Sequence, residues 1–194
     1  MRWIVLAALL LFLFGFVACV VPSSLIRPVL SESPINRIER GLMDATDLPF
    51  GWSRRSTGVP QDPMGSVARY RDYQGPSRYA IPFVRAGQTI YLYPSETESR
   101  TAYKNLVADN IPAAAIDKWP QPPELDLPLH ADESTIGCMA WIINNIPNQT
   151  CSLIARYGNL VTVVDGQVFE DRWLTMAQFR HLLERVDMRM ESIR

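Results

Sequence analysis

The chain has 194 residues, 47% hydrophobic and 20% charged, a composition that supports one packed domain and excludes wholesale disorder. Net charge is −1 at neutral pH, and from Cys19 onward eighteen bases face twenty acids, so no global attraction to nucleic acid is expected. Charge is nonetheless uneven. Arg54, Arg55, Arg69, Arg71, Arg78 and Arg85 fall in one stretch, and Asp117, Glu124, Asp126, Asp132 and Glu133 in another. The two sets are expected to be solvated or to pair with each other; the sharper alternative is an anion-facing patch near a membrane.

Nineteen uncharged residues, Trp3 to Val21, follow Met1 and Arg2 and are closed by Pro22. A cationic start, an apolar run and a small residue before a processing point mark a secretory signal. Phe16-Val17-Ala18-Cys19 resembles a bacterial lipobox, in which the signal is cut before a cysteine that then carries lipid; Cys19 is the candidate lipidation site. Against this, Phe16 stands where Leu is usual, and Val20-Val21 prolong the run past the cut. The length also fits one uncleaved membrane-spanning helix of about 17–25 residues. Either way the run is expected to tether the chain to a bacterial membrane, and a buried core helix would not be apolar on every face. The organisation that follows is 1–21 signal peptide or anchor, 22–33 tether, and 34–194 a single α+β domain.

Ser33-Pro34 opens a short helix over 34–44, with Ile35, Ile38 and Leu42 on one face. Strands are expected at 52–57, 66–74, 78–85 and 88–93, with Gly75-Pro76 and Ala86-Gly87 as punctuation. Ser95-Glu-Thr-Glu98 reads as a capping box for a helix over 96–109 that packs Ala102, Tyr103, Leu106 and Val107 on the sheet. The connection 117–132 contains Pro120, Pro122, Pro123 and Pro128, and its length makes it a candidate ligand-facing edge. Strands 135–143 and 151–157 follow, and Gly158-Asn159 turns the chain into a third over 160–164. The last helix combines a capping box, Thr175 with Gln178, and a staple, Leu174 with Phe179. Its apolar stripe is Phe179, Leu182, Leu183, Val186, Met190 and Ile193.

If Cys19 carries lipid, Cys138 and Cys151 are left as an even pair, which outside the cytosol can persist as a disulfide. With a two-residue turn at Asn144-Asn145, Ile143 faces Ile146 and, counting outward, Cys138 faces Cys151. Pro147 opposes so tight a turn, since it lacks an amide for the ladder. Arg2 lies on one side of the apolar run and Arg27, Arg37 and Arg40 on the other, so the positive-inside rule does not orient it. The cysteine pair favours the extracytoplasmic side.

No phosphate-cradling glycine loop, paired-histidine metal helix or nucleophile elbow is present, and no catalytic residue, metal ligand or cofactor is assigned. His130-Ala-Asp132-Glu133-Ser134 is the one local cluster with acid, base and nucleophile types, although neighbours in a loop seldom form a triad. Trp52, Trp119, Trp141 and Trp173, with tyrosines 70, 73, 79, 91, 93 and 103, could line an apolar pocket, although aromatic residues in a sheet domain are usually core. Trp119, in the proline-rich connection, is the candidate ligand-binding residue.

Four stretches carry a resemblance to small exported or lipid-anchored bacterial domains of unknown function, similar in layout to PsbP-like α/β sandwiches. They are Asp47-Leu-Pro-Phe-Gly-Trp52, Ser95 to Tyr103, Asp132-Glu-Ser134 and Arg156-Tyr-Gly-Asn-Leu-Val161. The resemblance implies a mainly antiparallel sheet flanked by helices and a role in binding or assembly at the cell surface. It supplies no site residues. The expected function is a membrane-tethered, non-catalytic binding or assembly domain of the cell envelope, its partner an envelope protein or a small apolar ligand. The alternative is an envelope hydrolase using the His130–Ser134 cluster.

Overall fold

A computed structural model describes residues 32–60, 67–76, 84–111, 119–143, 146–169 and 173–194. The apolar run Trp3–Val21, Cys19 and most of the tether lie outside the described residues, and the chain divides into one unit at Met1–Glu32 and another at Ser33–Arg194. Among the described residues no helix is long and apolar enough to cross a membrane.

Among its described residues the second unit is α+β, with six antiparallel strands and three α-helices. Helix α1, Pro34–Gly41, has proline in its first turn, where no intrahelical amide bond is lost. It stops before the expected end because Leu42 turns extended, while Ile38 and Leu42 are fully buried. Asp44 then caps a 3-10 turn, Ala45–Asp47, through a reciprocal capping box.

The strands are β1 Ser53–Gly58, β2 Val67–Gln74, β3 Arg85–Leu92, β4 Glu133–Ile143, β5 Ile146–Tyr157 and β6 Leu160–Val168. Their order across the sheet is β1-β2-β3-β6-β5-β4. The expected turn at Ala86-Gly87 is not there. Both residues lie inside β3, opposite Tyr73 and Asp72 on one side and Gly166 and Asp165 on the other. Glycine is tolerated in this strand because the Asp72 carboxylate leans across it, and a Cβ on Gly87 would lie 2.6 Å from Asp72 Oδ1.

Ile143 pairs with Ile146, which sets Cys138 opposite Cys151, and the two are joined by a disulfide. Pro147 fits this hairpin because pairing with β6 starts only at Gln149, so its missing amide breaks no bond on that side. Gly158, at φ 59°, takes the left-handed turn position between β5 and β6.

Helix α2, Glu96–Asn110, is capped by the Ser95 hydroxyl, which accepts from the Glu98 amide at 3.2 Å; the cap has this one arm. Its Ala102, Tyr103 and Leu106 cover one face of the sheet, packing with Tyr91, Ile154, Val161 and Val163 of the strands. Helix α3, Met176–Ser192, has both arms of its capping box. With α1 it covers the other face, where Phe179, Leu182, Leu183, Val186 and Met190 are fully buried. Removing each such side chain from water contributes about 1.5–3 kcal/mol. Gly166 leaves the space that the Phe179 ring fills.

The arginine-rich and acid-rich stretches do not pair with each other among the described residues. Arg69 and Arg71 bond Glu39 of α1, whereas Asp132 and Glu133 bond the buried Arg156, with Arg194 and Arg100 joining from the C-terminus and α2. Asp47, fully buried at its side chain, is held by Arg185 and Arg189 of α3.

Candidate ligand groove

Strand β4 is an edge, and an edge leaves a row of backbone groups open to pairing. Here the proline-rich connection runs against it. The Cys138 amide donates to Pro120 O at 3.1 Å, and the prolines that follow have no amide with which to extend a ladder. The connection therefore stands off the sheet instead of joining it. Between the two lie adjoining depressions of about 710 and 590 Å³ that share Pro122, Ala140 and Gln149. The larger is walled by Trp141, Ile142, Pro147, Val168 and Met176. Its volume lies in the range of pockets that hold small molecules.

Few polar groups face this space: Glu124, Asn148 and Gln149 in the larger part, and Gln121 in the smaller. Asn148 is 4% exposed. Its amide nitrogen donates to Trp141 O at 3.3 Å and Ile146 O at 3.4 Å, leaving the side-chain oxygen buried without a partner. Such an acceptor costs about 1–3 kcal/mol until a donor reaches it.

The residues singled out from sequence fall around this groove unequally. Cys138 borders the smaller depression, and its bond to Cys151 ties the two strands of the floor. Trp119 does not line either part. It is half-buried, packs with the α2-side cluster, and brings its backbone oxygen and Cβ within 3.0 and 3.2 Å of where a Cβ of Gly137 would lie. Its neighbours Pro120 to Glu124 form the wall instead. Trp141, one of the aromatics that the sequence offers for a pocket, lines the larger part where Trp119 does not, and Ile142, Asn148 and Met176 line it with no such mark in the sequence. One signal was present: Ala140, Trp141, Ile142 and Ile143 run apolar without alternation on a strand that ends in a turn.

The His130–Ser134 cluster is organised around a residue distant in sequence. Asp187 of α3, 3% exposed, accepts from the Tyr157 hydroxyl at 2.7 Å and the His130 amide at 2.9 Å, and pairs with His130 Nδ1 at 2.6 Å. The hydrogen bond and charge of Asp187 raise the His130 pKa, and burial followed by the same carboxylate pushes the Tyr157 hydroxyl up. Ser134 is exposed on β4, opposite Ala155, and the His130 ring bonds Asp187 and not this hydroxyl. Asp132 and Glu133 are engaged by Arg156. Among the described residues no group of three or more His, Cys, Asp and Glu side chains is arranged to hold a metal ion.

No family model, no curated protein and no solved structure matches the chain. The functional reading consequently rests on the groove and on the sequence.

Proposed function

We propose that the chain is a membrane-tethered, non-catalytic binding domain of the bacterial cell envelope, held on the extracytoplasmic side by Trp3–Val21 or by a lipid on Cys19, and that its groove takes a small apolar ligand. The observation that carries this reading is the groove beside β4, apolar on its walls and supplied with a buried, unpartnered acceptor on Asn148. A PsbP-like sandwich layout belongs to the same proposal, supported by one sheet with α2 on one face and α1 and α3 on the other. Native mass spectrometry of the full chain extracted from its host membrane tests it. The expected result is a retained apolar small molecule that M176E loses, with a diacylglycerol mass on Cys19 if lipid is the tether. A ligand-free mass for both proteins, with no binding of added apolar fluorophores, would sink the groove reading.

A second reading, an envelope hydrolase, draws on the Asp187–His130 pair, which engages Nδ1 and so makes Nε2 the nitrogen that would act as base. It requires Ser134 as nucleophile. Ester hydrolysis abolished by S134A and H130A, with folding intact, would favour it; equal rates in all three proteins would end it.

A further inference from the structure

The strand registers gather two exposed apolar features at one end of the sheet. Ser53, where β1 begins, lies opposite Gln74, the last residue of β2, and Gln74 lies opposite Arg85, the first of β3. Gly166 and Val168 of β6 and the Ile143–Ile146 closure of the β4–β5 hairpin lie at that same end. The turn Pro49–Trp52 therefore enters the sheet at one edge, and the hairpin closes at the other. Five strand spacings separate those edges, about 24 Å.

The turn is held firmly. The Trp52 amide donates to Pro49 O, Gly51 takes φ 91° against Pro76, and the Trp52 indole packs on Gly75 and donates to Trp173 O at 3.3 Å. Phe50 at its tip is 103% exposed, so its whole ring faces solvent from a fixed mount. At the far edge Trp141 is 40% and Ile142 71% exposed. A lone surface apolar residue is ordinary; here two such features face solvent from one end of the same sheet.

Arg54 and Arg55 follow the turn and are both exposed. Neither has a carboxylate in ion-pair reach among the described residues, whereas Arg69 and Arg71 are bonded to Glu39. The register slips between Arg54 and Ser56, so Arg55 is the extra residue of a bulge that bends this edge. Glu124, beside the hairpin, is an acidic side chain facing the groove at the other edge.

We propose that this end of the sheet docks on an anionic phospholipid surface, with Phe50 and the Trp141–Ile142 pair entering the lipid interface and Arg54 and Arg55 meeting lipid phosphates. An exposed ring followed by two arginines, as at Phe50, suits that boundary. The inference rests on the membrane-tethered reading: twelve residues, 22–33, separate the apolar run from α1 and span at most about 40 Å, which keeps the domain within reach of the bilayer. In this pose the groove, walled by the same Trp141 and Ile142, opens towards acyl chains, the source from which an apolar ligand would enter.

Fluorescence quenching by brominated lipid, with the full chain reconstituted in vesicles, tests both levels. The difference between wild type and W3F reports the apolar run; F50W reports the turn; the difference between wild type and W141F reports the hairpin. In brominated phosphatidylglycerol all three positions are expected to be quenched. R54Q/R55Q is expected to lower the docking equilibrium constant roughly 30-fold, at about fivefold per arginine, and to leave Trp3 quenched. Quenching at Trp3 with none at positions 50 and 141 would overturn the docking proposal and leave the tether intact. Equal quenching in brominated phosphatidylcholine would overturn the role of the arginines. In a chain that retains residues 1–18, absence of quenching at Trp3 would overturn the tether, and the docking proposal with it.

Discussion

Reducing the Cys138–Cys151 bond perturbs the floor of the groove without changing the sequence. The bond closes a segment with a sequence separation of 13, and restricting the unfolded chain over such a loop contributes about 3 kcal/mol. For a domain of this size each kcal/mol moves the melting temperature by about 2–4 °C, so a fall of roughly 6–12 °C is expected. Both cysteines are buried, at 3% and 0% exposure, and reduction leaves the sulfur atoms in place, so little of the loss comes from an emptied core. Differential scanning calorimetry with and without a phosphine reductant measures the shift, and mass spectrometry under alkylation confirms two free thiols. Amide exchange should also rise at Cys138, whose N–H holds the proline-rich connection through Pro120 O. A melting shift under about 2 °C with both thiols free would refute the reasoning, because it would mean that the hairpin ladder already restrains the unfolded chain as much as the bond does.

Two glycines in the sheet should respond in opposite ways to alanine. In G166A the new methyl would meet the fully buried Phe179 ring at 2.6 Å, for a loss of about 1–3 kcal/mol in urea unfolding; in G87A it meets the movable end of Asp72, so the change should stay within about 1 kcal/mol. D187A strands the buried Tyr157 hydroxyl and should cost about 2–4 kcal/mol, against about 1–2 kcal/mol for Y157F, in the same unfolding assay. Acid should weaken the domain through Asp132 and Glu133: burial pushes both carboxyls up, but Arg156, the Gly158 amide and Arg194 at Asp132, and Arg156 and Arg100 at Glu133, outweigh it and hold them low. Their stability is complete above the unfolded values of about 4 and is lost as pH falls through the folded values, so D132N/E133Q should flatten the acid limb of a stability–pH curve. His130 has the opposite sign: its raised pKa adds stability that is fully present below about pH 6.5 and is lost as pH rises through the folded value, a slope that H130A should remove.

The local devices were legible in the sequence. Thr175 with Gln178 and Leu174 with Phe179 mark the start of α3 through bonds and contacts spanning only a few residues, and the stripe from Phe179 to Ile193 states its buried face. Counting outward from Asn144-Asn145 sets Cys138 against Cys151 on the condition of a two-residue turn; Pro147 opposed that condition in the sequence, and the Ile143–Ile146 pairing meets it. Gly87 carries a turn signal that its place in β3 contradicts, and the reason is not local: the group that makes glycine suitable there is Asp72 on the neighbouring strand. Asp187 was likewise hidden, since a helical aspartate beside an apolar stripe reads as surface until β5 and the connection bring Tyr157 and His130 to it.

For the groove, the sequence by itself determined the ingredients, a proline-rich connection and an apolar hairpin, because composition and spacing set what each segment can form alone. Tertiary structure decided that Trp119 turns inward over Gly137 and that Pro122, Trp141 with Ile142, and Met176, drawn from three separate places in the chain, share one space. The pairing of β3 with β6, across more than sixty intervening residues, likewise put the Phe50 turn and the β4–β5 hairpin at one end of the sheet. Such juxtapositions are set by which faces and edges are buried together, a property of the assembled layers that no short stretch of chain contains.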